Sequence, residues 1–416
     1  MDGDQTGGGF VEAGLAQVSP ALQAVVDAGD LSGVVYLLWR KGEVAQVDAV
    51  GYRDLASKAP MARDTLFRIM SMTKPVTSVA ILMLVEEGKL KLDDPVTKWL
   101  PELADMRVMK DPAGSLDDTY PAPRDITVED LLTHRSGLAY GFTSMGPIGE
   151  AHETRLGSPV DNPRTPDAWL EALGTLPLSY PPGQQFHYSH ATDVLGFLAA
   201  RVEGKPYEQV LQDRIFGPLG MTDTAFHCPP EKRGRMASLY RMNPDTEKLE
   251  DVSFPFVDAD KAFAGGGGGL ISTVDDYLKF ARMLLGKGEV DGVRLLKAST
   301  VEDMATNRLS DAQRAVPFMG MPFWMSMGFG LGVSVVTDAE KHAWMGAGSA
   351  GSFGWPGAFG TWWQADPAED LIAIYMIQDS MPLGPEAIAN LAARRGLGGR
   401  AALPVFQKTV YAALGK

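Results

Sequence analysis

The chain has 416 residues, 45% hydrophobic and 22% charged, proportions that suit a globular protein with a large buried core. Its 52 acidic residues outnumber 38 basic ones, and the net charge of −14 argues against nucleic acid or an anionic membrane as partner. A single cysteine, Cys228, excludes an intrachain disulfide and any multi-cysteine metal site, which fits a reducing compartment.

The acidic start Met1-Asp2-Gly3-Asp4 has neither the basic nor the apolar region of a secretory signal. No apolar run approaches the ~18 residues needed to span a bilayer. A cytoplasmic protein is therefore expected. Residues 1–9, rich in Gly and Asp, are expected to fray. A helix follows from residue 20 to about 27, then two strands at 33–39 and 44–50 joined by a turn at Lys41-Gly42. Further helices are expected at 128–132, 166–173, 191–202 and 207–215. Between them, residues 140–164 lack periodicity and read as a long loop, placed by position over a site entrance. Strands return at 330–336, 360–363 and 371–377, and a helix from about 403 to 414 closes the chain. There is no internal repeat.

One tetrapeptide stands out. Ser71-Met72-Thr73-Lys74 is the only place where a serine precedes a lysine by three positions. Pro75 and the apolar run 79–85 after it mark the start of a buried helix, since proline is tolerated in a first helical turn. Positions i and i+3 share a face, so the Ser71 hydroxyl and the Lys74 amine can meet. A serine at a helix N-terminus also sits where negative charge is favoured. These are conditions for a nucleophile activated without histidine. A serine there can equally be a plain N-cap.

Two more segments bear on the choice. Tyr188-Ser189-His190 follows the turn Pro181-Pro182-Gly183 and precedes the helix at Ala191. A phenol needs a cation nearby to act as base at neutral pH, and Lys74 is a candidate; Lys74 itself, if neutral, is another base. The glycine-laced stretch 346–361 contains Gly354-Trp355-Pro356-Gly357-Ala358 and leads into a strand whose edge N–H can serve an oxyanion.

The set Ser71-x-x-Lys74, Tyr188-Ser-x and Trp355-Pro-Gly357 resembles the serine β-lactamase and penicillin-binding superfamily, most of all the family VIII carboxylesterases that are similar to class C β-lactamases. Asp130-Leu-Leu-Thr-His-Arg-Ser-Gly-Leu138, Phe216-Gly-Pro-Leu-Gly-Met-Thr-Asp-Thr224 and the Gly265–Leu270 run before Asp275-Asp276-Tyr277 fit the same family in order. The resemblance implies an α/β (α+β) fold, an antiparallel sheet flanked by helices with an inserted, mostly helical lobe. Residues 10–75 and 262–416 would build the first lobe and 76–261 the second, with the active site between them. It also implies Ser71 as acylated nucleophile, Lys74 as its amine partner, Tyr188 as general base, and the N–H groups of Ser71 and Ala358 as oxyanion hole. Trp355 and Gly357 would border the substrate.

Departures from the family pattern point to esters. No Lys-Thr-Gly or Lys-Ser-Gly occurs, and Trp355-Pro356-Gly357 stands in the third-motif place, so a cationic anchor for a substrate carboxylate is missing. Proline replaces the middle glycine of Trp-Gly-Gly and removes a donor. His190 stands where β-lactamases have Asn. An alternative alignment puts Ser349-Ala350-Gly351 in the third-motif place. The expectation is a cofactor-free serine esterase for short- to medium-chain carboxylic esters, with β-lactamase or D-aminopeptidase chemistry as the alternative. The segment 317–327 carries four methionines and three aromatic residues, and either lines an acyl or alcohol pocket or packs between lobes. His187, His190 and Asp193, spaced by three, could present metal ligands on a helix face, though no Glu-based signature accompanies them and no metal is expected. Five consecutive glycines at 265–269 lack the Gly-Lys-Ser/Thr of a phosphate loop.

Overall fold

The apolar run Gly33–Arg40 forms strand β1, and its alternation splits between two cores. Val35 and Leu37 point into one buried cluster, Val34, Tyr36 and Leu38 into another. A strand buried on both faces needs no polar face, which is why this run reads as continuously hydrophobic. The computed structural model describes residues 7–144, 146–158, 162–243, 245–258, 263–380 and 402–415.

Strand β1 pairs with β2 (Glu43–Asp54) through the turn predicted at Lys41-Gly42, with Gly33 opposite Gly51. Beyond β2 lies β3 (Ala59–Pro60), and after it the short β4 (Phe67–Arg68). From the other end of the chain come β5 (Ile271–Ser272), β6 (Met327–Phe329), β7 (Ser334–Val336), β8 (Phe353–Gly354), β9 (Trp362–Asp366) and β10 (Leu371–Met376). The main sheet has eight strands in the order β6-β7-β8-β9-β10-β1-β2-β3, antiparallel throughout. Both chain ends thus meet at β1 and β10, where Val35 faces Met376 and Arg40 faces Leu371.

Helices cover the two faces. Helix α1 (Val18–Asp27) and the C-terminal helix Ala402–Ala412 close one core through Val18, Leu22, Phe406 and Val410. Helix α2 (Thr73–Glu86) and the helix Val274–Leu285 close the other through Val76, Val79, Ala80, Tyr277 and Phe280. Helix α2 is buried on every side over residues 73–82 because its surroundings enclose it; each fully buried Val, Leu or Ile contributes about 1.5–3 kcal/mol.

The expected elements correct in three places. Residues 7–9 do not fray: the Gly8 N–H donates to Glu43 at 2.6 Å, and Arg40 donates to the carbonyls of Gly8 and Gly9; residues 1–6 lie outside the described set. The expected strand at 330–336 is a hairpin, because Gly332, at φ +92°, turns the chain between β6 and β7. The expected loop at 140–164 contains helix Pro147–Leu156, which buries Ile148, Ala151, His152 and Leu156 at helical spacing. Counting His152 as polar hides that stripe in the sequence.

Candidate active site

Ser71 sits in a 3₁₀ turn, Met70–Met72, that runs into α2. The helix itself begins at Thr73, with Pro75 in its first turn. Met70, just before the serine, holds φ at +46°, a left-handed conformation costing an unbranched side chain on the order of 1 kcal/mol. Neighbouring bonds hold that turn. Ile69 N–H donates to the Leu270 carbonyl (3.0 Å), Thr361 Oγ1 donates to the Ile69 carbonyl (3.1 Å), and the Tyr277 hydroxyl donates to the Met72 carbonyl (2.9 Å). The Ser71 hydroxyl caps no helix; it meets two other side chains.

Those side chains are the two expected ones. Lys74 Nζ donates to Ser71 Oγ at 3.3 Å, and the Tyr188 hydroxyl lies 2.7 Å from the same oxygen. Lys74 is 1% exposed, and two further acceptors surround its Nζ: the Gly267 carbonyl at 2.6 Å and the Tyr140 hydroxyl at 3.1 Å. Three acceptors match the three donors of an ammonium. Tyr188 is carried on the segment ahead of helix Ala191–Glu203, and its carbonyl accepts from Thr143 Oγ1 at 2.9 Å. The ammonium nitrogen stands 4.7 Å from the Tyr188 ring centroid.

Trp355 completes the polar ring around the phenol. Its indole N–H donates to the Tyr188 oxygen at 3.0 Å. Gly357 follows because the chain passes tightly over Ile69; a Cβ there would collide with Thr361 Oγ1 and the Ile69 carbonyl. The next residue, Ala358, packs in a small cluster with Met70, Leu239 and Phe359, beside the serine. Ser349, the alternative third-motif residue, stands apart: its N–H donates to Asp366 Oδ2 at 3.0 Å, and Asp366 is the last residue of β9.

Three residues beside the serine were not assigned to its surroundings from the sequence. Tyr140 reaches Lys74 from the start of the segment expected as a loop. Asp193, fully buried, accepts from the Gly267 N–H (2.8 Å) and lies 2.9 Å from His190 Nδ1 and 3.5 Å from the Tyr140 hydroxyl. Gly267 belongs to the five-glycine run; a Cβ there would press on Asp193 and the Tyr140 hydroxyl, so the run is a tight backbone crossing beside Lys74. Its flanking Gly266 carbonyl accepts from Thr77 Oγ1 at 2.7 Å.

His190, which stands where the β-lactamases have Asn, turns inward. It is 4% exposed, bonded to Asp193, with its ring 4.3 Å from that of Tyr140. His187 turns away from both, to Ser144 Oγ at 2.9 Å. The three-residue spacing therefore gathers no ligand set, and among the described residues no three acidic, histidine or cysteine side chains are grouped to hold a metal. No helix among them is long and apolar enough to cross a membrane.

Burial tunes the titratable neighbours. Burial first, then the Asp193 charge, pushes the Tyr140 phenol well above its ordinary value, so it stays a neutral hydrogen-bonding group. Burial and then the Lys74 charge hold His134, 4.7 Å from the Tyr188 ring, well below the usual histidine value. Burial takes His187 down to about 4. For His152, burial and then the neighbouring His190 take it to about 3.

The chain is similar to known proteins over most of its length. The chain is 49% identical over 397 residues to Protein Rv1367c of Mycobacterium tuberculosis, covering 95% of this chain and 98% of the other. It is 31% identical over 392 residues to a lovastatin esterase of Penicillium rubens, covering 89% and 94%. Among solved structures it matches EstCE1, described as a hydrolase with promiscuous acyltransferase activity, at a TM-score of 0.79 and 27% identity over 96% of this chain and 99% of that one. With residues 18–397 matching the Beta-lactamase family from end to end of the described sheet, the chain belongs to that family.

Proposed function

We propose that the protein is a serine carboxylesterase acting on short- to medium-chain carboxylic esters through an acyl-enzyme on Ser71. The observation that carries this reading is the pair of contacts at one oxygen: Tyr188 at 2.7 Å and Lys74 at 3.3 Å from Ser71 Oγ. Tyr188, ionised to the phenolate beside Lys74, takes the Ser71 proton and becomes the phenol as Oγ bonds to the ester carbonyl carbon. Lys74 Nζ, 4.7 Å from the Tyr188 ring centroid, and the Trp355 indole N–H, 3.0 Å from its oxygen, stabilise the phenolate before it takes the proton. The carbonyl oxygen, now negative, sits against the Ser71 N–H with the Gly357–Ala358 turn beside it. The carbon–alkoxide bond breaks and the alkoxide leaves with the proton. Water gives its proton to the Tyr188 phenolate that the alcohol leaves behind and attacks the acyl carbon, and that proton passes to Ser71 Oγ as the acid is freed. Esterase relatives at about 30% identity agree in kind.

Replacing Ser71 by Ala removes the attacking atom. Hydrolysis of p-nitrophenyl butyrate is expected to fall by at least ~10³-fold in kcat. Retention of more than trace activity in folded protein would overturn the mechanism. Nitrocefin assayed beside that ester tests the β-lactam alternative, which the indole in the third-motif place disfavours, since it offers no ammonium to a substrate carboxylate.

A further inference from the structure

The Tyr188 ring borders a cavity of about 240 Å³. One wall is aromatic. Phe318 stands 5.7 Å from the Tyr188 centroid and 5.7 Å from that of Phe186, and Trp324 lies 4.6 Å from Phe186, all steeply inclined. The other wall is polar: Ser144 Oγ bonds His187 Nε2 at 2.9 Å, and the Tyr180 ring meets the His187 ring edge-on at 5.2 Å. The segment 316–320, with Trp324, therefore lines a cavity beside the site as well as packing the cluster around Trp355. The volume equals roughly eight waters of liquid, room for a six-membered ring with substituents.

Proton bookkeeping decides which arm of an ester reaches this cavity. The Tyr188 phenolate that takes the Ser71 proton holds it as a phenol when the carbon–alkoxide bond breaks, and the departing alkoxide is the base that needs it. The alkoxide oxygen accordingly lies against the Tyr188 hydroxyl, and its substituent runs along the Tyr188 ring. The carbonyl oxygen turns the other way, to the Ser71 backbone. We infer that this cavity is the alcohol subsite, taking an aryl or alicyclic alcohol that carries a hydrogen-bonding group, while the acyl chain lies elsewhere. The ring packs edge-on against Phe318 and Trp324, and its polar group bonds to the Ser144 and His187 pair. This rests on the Ser71 acyl-enzyme reading.

The test separates the two arms by kcat/KM ratios. Cyclohexyl acetate against ethyl acetate reads the alcohol arm; ethyl hexanoate against ethyl acetate reads the acyl arm. Val316→Trp, which plugs the cavity from its half-exposed rim, is expected to lower the alcohol ratio ~10-fold or more and to shift the acyl ratio less than ~2-fold. Phe318→Leu, which thins the aromatic wall without adding bulk, is expected to lower the alcohol ratio several-fold, and it serves should the plug fail to fold. A fluorophosphonate probe reports Ser71 separately. No labelling of the unaltered protein defeats the esterase reading itself. Full labelling with a shift confined to the acyl ratio, or with neither ratio changed, overturns the alcohol assignment.

Discussion

Lys74 and His152 are each 1% exposed, each titratable, and both belong to the surroundings of Tyr140. They are held in opposite ways. Three acceptors converge on Lys74 Nζ, whereas neither ring nitrogen of His152 has a hydrogen-bond partner. His152 is instead stacked on His190, with centroids 5.7 Å apart and planes inclined by 8°. The first arrangement fixes one position for one atom and leaves its neighbours dependent on it. The second fixes a shape, at a desolvation cost of about 1–3 kcal/mol for each unmatched polar atom, and nothing nearby depends on its protons.

The contrast predicts where substitutions hurt. Lys74→Met keeps the length and apolar stem but removes the donor from Ser71, Tyr140 and Gly267 together. Ester hydrolysis is expected to fall by ~10³-fold or more in kcat/KM, with a lowered melting temperature from the stranded acceptors. Steady-state kinetics on protein shown to be folded by circular dichroism checks this; a loss under tenfold would mean Lys74 is structural. Asp193→Asn comes next. An amide oxygen can still accept from the Gly267 N–H, but the amide nitrogen cannot accept from His190 or Tyr140. Urea unfolding is expected to show a loss of about 2–4 kcal/mol. A change within ~0.5 kcal/mol would show that Asp193 is not the anchor of the Gly267 crossing.

The partnered half of this comparison was partly legible in the sequence. Ser71 and Lys74 are local partners, three residues apart on one helical face, so spacing alone brings them together. Tyr188 and Trp355 were found through motifs whose order along the chain is itself a signal. Tyr140 and Gly267 carry no such mark, and the spacing that marked Asp193 pointed to a metal instead. Tyr140 and Gly267 meet Lys74, and Asp193 meets both of them, only because these segments converge on the start of α2, and sequence separations of 66 and 193 residues leave no periodic trace. The pairing of β4 with β5, two residues each, holds Ile69 next to Leu270 yet is too short to read from alternation. The side chain of His190 turns inward to Asp193, which only packing decides.

The unpartnered half gives the smallest and most specific effect. Burial holds His152 at about 3 against an ordinary 6.5, so the folded state refuses a proton that the unfolded chain accepts. The stability this neutral ring permits is complete above about pH 6.5 and drains as pH falls from there toward 3, because only the unfolded state gains protons in that window. Between pH 7 and 5 the penalty for one such group is on the order of 1–2 kcal/mol. His187, held at about 4 by burial, adds a penalty of the same sign. His152→Phe keeps an aromatic ring to stack on His190 and has no proton to accept. Urea denaturation of both proteins at pH 7 and pH 5 is expected to show that the variant loses about 1–2 kcal/mol less than the parent over that interval, with the remaining loss left to His187 and His134. Equal losses in the two proteins would mean that His152 finds hydrogen-bond partners in solution, and the division between a bonded lysine and a merely packed histidine would fail at its weaker side.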